Sequence, residues 1–156
     1  MRLAFIDDNK TVLMVNEIML KKEKIIKNED TVVKHSQINE FSEADYIDFA
    51  NDFDFVACDF NLGKDSINGL EFLKKIKNTN SEITCVLLTG DDSLAMKTKM
   101  MLHANINYVI KNNEKNGNST LSQLGELINH CRNNIKINLH TKQETQKNKT
   151  NHKKGY

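Results

Sequence analysis

The sequence predicts an α/β fold, a doubly wound parallel sheet of five strands with helices on both faces. Three observations carry that prediction. Five short apolar runs alternate with five segments of helical periodicity. Two of the runs, 54–58 and 83–88, are almost continuously apolar, as strands covered on both sides are. Isolated polar side chains stand at the ends of four runs: Asp7-Asp8, Asp59, Thr89 and Lys111. Parallel strands align their carboxyl ends along one edge, and open sheets bind ligands in the crevice there.

The elements follow in chain order. Residues 2–6 form a strand, and a helix from about Asn9 to Lys24 follows, capped by Asp8 or Asn9. Val12, Val15, Ile18 and Met19 recur at helical spacing and are expected to face the core. A short strand at 31–35 precedes a weaker helix over 39–50 that uses Phe41, Ala44, Tyr46 and Phe49. Strand three is 54–58. A polar loop then leads to a helix with Leu70, Leu73 and Ile76 on one face. Strand four (83–88), a helix near 93–103, strand five (105–109) and a last helix over 119–134 complete the alternation. The last helix has the clearest stripe: Leu121, Leu124, Ile128, Cys131 and Ile135. With no proline in the chain, its turns rely on Gly, Asn and Asp.

The 156 residues suit one domain with a core that needs no staples. Hydrophobic residues at 38% and charged ones at 28% fit a globular protein, and no apolar stretch approaches a membrane span. The opening Met-Arg-Leu-Ala-Phe-Ile-Asp-Asp is too short in apolar residues for a signal peptide, so a cytoplasmic location is expected. Cys58, Cys85 and Cys131 form no CxxC pair and fall on core positions, so reduced, packed thiols are expected. Charge is unevenly spread. Residues 136–156 hold six lysines and one glutamate, a surplus of +5 that leaves −4 on residues 1–135. The domain is therefore placed at 1–135, and 136–156 is expected to be a frayed helix end and a basic, disordered tail.

The polar strand ends carry the chemistry. Taken singly, Asp7-Asp8 reads as a helix cap, Asp59 and Thr89-Gly90 as turn residues, and Lys111 as a surface lysine. Independent caps and turns have no reason to fall at the same end of four different strands. Converging carboxylates call for a hard cation. A cation beside an ammonium and a hydroxyl makes a receptor for a phosphoryl group.

Five segments resemble the receiver domain of two-component response regulators. They are Asp7-Asp8, Val56-Ala57-Cys58-Asp59, Asn68-Gly69-Leu70-Glu71-Phe72-Leu73, Leu87-Leu88-Thr89-Gly90 and Tyr108-Val109-Ile110-Lys111. The separations of 30 residues from Asp59 to Thr89 and 22 from Thr89 to Lys111 are typical of that family. The resemblance covers about 2–134 and implies a flavodoxin-like (βα)5 fold of strand order 2-1-3-4-5. It implies Asp59 as phosphoacceptor. Mg²⁺ would be held by Asp8 and Asp59, by Asp7 through water, and by the Asn61 carbonyl. Thr89, the Gly90 amide and Lys111 would bind the phosphoryl oxygens. Tyr108 is the implied switch, rotating inward as Thr89 moves, with readout through the fourth helix, fifth strand and fifth helix. On that face Met96, Lys97, Lys99, Met100 and Met101 offer a basic, adaptable surface. Asn61 and Asp91 stand where the family tunes hydrolysis of the acyl phosphate.

The implied function is a signalling switch that catalyses only its own phosphorylation and dephosphorylation. Its donor would be a sensor histidine kinase or histidine phosphotransfer protein, and its output a downstream protein. No membrane partner is implied, and nucleic acid enters only through an output domain outside this chain. Two departures from the family stand out. Asn112 follows Lys111 where most receivers have proline after a cis bond, and the 59–69 loop is about two residues longer than usual. A phosphorylation-independent adaptor on the same fold is one rival. A haloacid-dehalogenase-type phosphatase is a weaker one. Its Asp-x-Asp lies on the first strand, whereas Asp59-Phe60-Asn61 lies on the third and puts an amide where a proton donor is needed. A flavin or dinucleotide site lacks its glycine-rich strings.

Overall fold

A computed structural model describes residues 1–38, 41–63, 67–111 and 119–152. The alternation is β1 (Arg2–Ile6), α1 (Lys10–Lys22), β2 (Thr31–His35), α2 (Glu43–Asp52), β3 (Phe55–Asp59), α3 (Gly69–Thr79), β4 (Thr84–Thr89), α4 (Leu94–Met101), β5 (Asn107–Ile110) and α5 (Thr120–His152). The strands form one parallel sheet in the order β2-β1-β3-β4-β5, the order the resemblance implies.

Strand alternation splits the core into two layers. Ala4, Ile6, Val56, Cys58, Cys85 and Leu87 point to one side and pack with buried residues of α2, α3 and α4. Leu3, Phe5, Phe55, Ala57, Val86 and Leu88 point to the other and pack with α1 and α5. All three cysteines are buried and free, as expected from their core positions. Among the described residues, no helix is long and apolar enough to cross a membrane.

Three elements differ from their sequence reading. The first, α2, starts at Glu43 behind its Ser42 cap and leaves Phe41 outside the helix, while 39 and 40 lie outside the described residues. On α1 the buried residues are Leu13 and Leu20, while Met14, Val15, Ile18 and Met19 are exposed. The helix carries two apolar faces, and the narrower one, with Leu13 and Leu20, packs into the core. The last helix continues to His152 instead of ending near Asn134. After Ile135 the apolar stripe ceases, yet no proline occurs and no glycine before Gly155, so nothing breaks the helical hydrogen bonding.

A buried ion pair fastens α5 to the opposite end of the sheet. The Arg132 guanidinium donates to Asp30 Oδ2 at 2.6 Å and to the Ile25 carbonyl at 3.1 Å, with both charged side chains at most 10% exposed. Burial pushes the Asp30 carboxyl up, but the Lys27 amide and Arg132 outweigh it and hold it below the usual carboxylate range. This pair therefore stabilises the fold at neutral pH, and that stability is lost as pH falls through the lowered value. Arg132→Ala leaves the buried Asp30 carboxylate only the Met1 ammonium at 3.4 Å and the Lys27 amide at 2.9 Å among its described partners, and lowers the unfolding free energy by about 2 kcal/mol in urea titrations at pH 7. A loss below about 1 kcal/mol would contradict the buried clamp.

Candidate functional site

Main-chain pairing carries the candidate residues just past the strand ends. The Asp7 amide donates to the His35 carbonyl at 3.2 Å, one step beyond β1. Asp59 closes β3 opposite Leu88, and the Phe60 amide donates to the Leu88 carbonyl at 2.8 Å. The Lys111 amide donates to the Thr89 carbonyl at 2.7 Å. Four strand ends are thus held abreast by the backbone alone.

Their side chains converge. One carboxylate oxygen from each of Asp7, Asp8 and Asp59 lies within 4.8 Å of the other two. Lys111 Nζ is 2.9 Å from Asp59 Oδ1 and 3.4 Å from Asp7 Oδ2. Asp7 and Asp59 are buried, whereas Asp8 faces solvent. Burial raises the Asp7 carboxyl above its ordinary range. The Asn9 amide, 2.9 Å from Asp7 Oδ1, and Lys111 oppose that rise, and the neighbouring charge of Asp59 adds to it. Among the described residues, three carboxylates face the one ammonium of Lys111, which leaves negative charge uncompensated. Oxygen ligands of this kind fit a hard divalent cation with several retained waters.

The β3–α3 connection shapes the rim. A Cβ on Gly69 would lie 1.9 Å from the Asp59 carbonyl oxygen, so only glycine lets the start of α3 pass this close to the strand. The Gly69 amide donates to the Phe60 carbonyl at 2.9 Å, and Asn68 caps the helix. Gly63 has φ +95°, and a Cβ there would sit 3.8 Å from Asp8 Oδ2, so the turn lies against the carboxylates. Asn61 is exposed in this loop, next to buried Leu62.

On the other flank Thr89 is buried, and its hydroxyl accepts from the Asp91 amide at 3.1 Å. Asp91 accepts from the Ser93 amide at 2.9 Å, and Ser93 caps α4. Gly90 is exposed beside Thr89. Tyr108 stands apart from the carboxylates, 39% exposed, at a cavity of about 350 Å³ shared with Met100, Met101 and Leu127. A cavity of about 360 Å³ lies at the opposite pole, between α5 and the starts of β3 and β4. The carboxylate cluster coincides with neither cavity. Asn112 and the bond preceding it lie outside the described residues, as do 64–66 of the long loop.

A family model described as the response regulator receiver domain matches residues 3–121. The chain belongs to that family. Receiver domains are the phosphoacceptor modules of two-component signalling, which places this chain among signalling switches. No curated protein matches the chain. Among solved structures, a receiver domain protein from Clostridium thermocellum is 22% identical, with TM-score 0.63 over 87% of this chain and 97% of that one. A CheY-like receiver from Methanospirillum hungatei is 19% identical, with TM-score 0.58 over 85% and 97%. A response regulator from Burkholderia pseudomallei, solved with a phosphorylated aspartic acid and calcium, is 20% identical, with TM-score 0.53 over 71% and 59%. At these identities the likeness is one of fold.

The structure brings Asp7, Asp8, Asp59 and Lys111 of this receiver into contact distance and sets Thr89 on the adjoining strand end. Sequence reasoning did not single out Gly63 or the Asn9–Asp7 bond. A lone glycine in a polar loop and the Asp-Asp-Asn string were the available signals. Gly69→Ala should force the start of α3 away from Asp59 and destabilise the protein by about 2 kcal/mol or more in urea titrations. An unchanged midpoint would show that the close approach is not needed. Asp7→Asn removes a buried charge whose ionised form the fold disfavours, so without metal it should raise Tm; a lowered Tm would contradict the excess of negative charge.

Proposed function

We propose that this receiver takes a phosphoryl group from a phosphohistidine of a sensor histidine kinase or histidine phosphotransfer protein onto Asp59. The reading rests on one observation above all: Asp59 shares a carboxylate nest with Asp7 and Asp8 while Lys111 bonds its oxygen at 2.9 Å. Asp59 Oδ1 attacks phosphorus, the P–N bond breaks, and the imidazole nitrogen leaves with its electron pair. Lys111 neutralises a phosphoryl oxygen, and the Thr89 hydroxyl with the Gly90 amide hydrogen-bonds another. Asp8, Asp59 and the Asn61 carbonyl would hold Mg²⁺ directly, with Asp7 reaching it through water. The ion supplies charge neutralisation for the transferring oxygens. The phosphorylated aspartate and calcium of the Burkholderia regulator support the same chemistry on a similar fold.

Hydrolysis of the acyl phosphate resets the switch, with Asn61 and Asp91 positioned to tune its rate. Output runs through α4, β5 and α5, where Leu94, Met101 and Leu102 are each at least 78% exposed and Tyr108 lines the adjoining cavity. Incubation with phosphoramidate and Mg²⁺ should add one phosphoryl group by intact mass, and Asp59→Asn or removal of the metal should abolish it. An adduct on serine, threonine or histidine would overturn the assignment. Rapid turnover of small phosphate esters would move the protein to the phosphatase class.

A further inference from the structure

The residue after the proposed phosphoacceptor is in contact with α4. The Phe60 main chain is tied on both sides, its amide to the Leu88 carbonyl at 2.8 Å and its carbonyl to the Gly69 amide at 2.9 Å. Its half-buried ring packs on the core between the sheet and α2, α3 and α4. Over that ring sits the Lys99 ammonium, 5.6 Å from the centroid. The neighbouring lysine of α4 is engaged otherwise, with Lys97 paired to Asp92 at 2.5 Å. Lys99 is exposed, so its position over Phe60 is not imposed by burial.

At its other end α4 hangs from the site through Thr89. The Thr89 hydroxyl accepts from the Asp91 amide, the Asp91 carboxylate accepts from the Ser93 amide, and Ser93 caps the helix. An eight-residue helix is short and stiff, so displacement of its capped end is felt at Lys99. Phe60 stays behind. The two attachments therefore oppose each other whenever Thr89 turns toward Asp59.

We propose that Lys99 is a positioning residue for the switch: its cation–π contact with Phe60 latches α4 in the resting arrangement and restrains phosphorylation of Asp59. The inference rests on the phosphoacceptor reading above. A contact made in one arrangement and stretched in the other biases the equilibrium toward the first. A single exposed cation–π contact supports a bias of about two- to fivefold.

The test is the rate of phosphorylation by phosphoramidate with Mg²⁺ in the full chain, followed by intact mass. Lys99→Gln should accelerate it two- to fivefold, and Lys99→Arg, which keeps a cation over the ring, should restore the original rate. Phe60→Leu should match Lys99→Gln, and the double variant should be no faster than either single one. Thermal midpoints of the Lys99 variants should stay within a degree or two of the parent, which separates a latch from general loosening. Unchanged or slower phosphorylation in Lys99→Gln, or single effects that add, would overturn the latch. If the parent chain gains no phosphoryl group on Asp59, the phosphoacceptor reading fails instead.

Discussion

The whole arrangement depends on an electrostatic imbalance: among the described residues, two buried carboxylates and an exposed one outnumber the ammonium that reaches them. Folding places Asp7 and Asp59 out of water beside exposed Asp8, and Lys111 compensates only part of the charge. An isolated fold would gain by replacing them with neutral residues. Their presence makes sense where a cation and a transferable anion complete the balance. The rest of the molecule can be seen as what is required to hold these four side chains against their mutual repulsion.

Backbone hydrogen bonds do most of that holding. The pairing of β1 with β2, β3 with β4 and β4 with β5 runs one residue beyond the regular strands at Asp7, Phe60 and Lys111, so the clustered side chains inherit the rigidity of the sheet. Gly69 lets α3 start against the strand that carries Asp59. The two core layers then fix the sheet from both sides, and the Arg132–Asp30 clamp secures α5. Loops that must respond to chemistry, from Thr89 to Ser93, are joined to this frame by side-chain bonds that can be exchanged.

Much of this was legible in the residues themselves. Continuous apolar runs disclosed the inner strands to within a residue or two, and polar residues at the ends of the runs marked where three carboxylates and Lys111 come together. The order of the strands came from the family resemblance, since alternation alone does not say which strands are neighbours. Periodicity identified α1 as a helix but could not orient it, because Leu13 and Leu20 compete with Met14, Val15, Ile18 and Met19 for the inward position. The length of α5 was hidden for a different reason. Polar residues without an apolar stripe read as tail, whereas Lys, Gln and Glu support a helix once a packed segment has nucleated it. The Lys99–Phe60 contact joins residues 39 positions apart on two elements, a distance no local pattern reveals.

A magnesium titration followed residue by residue through backbone amide NMR tests the central charge imbalance most directly. Saturable one-to-one binding should perturb the amides around Asp7–Asn9, Asp59–Asn61 and Lys111, and Asp8→Asn should weaken it at least tenfold. Unsaturable shifts spread over the surface, or saturation centred away from these three carboxylates, would contradict the account.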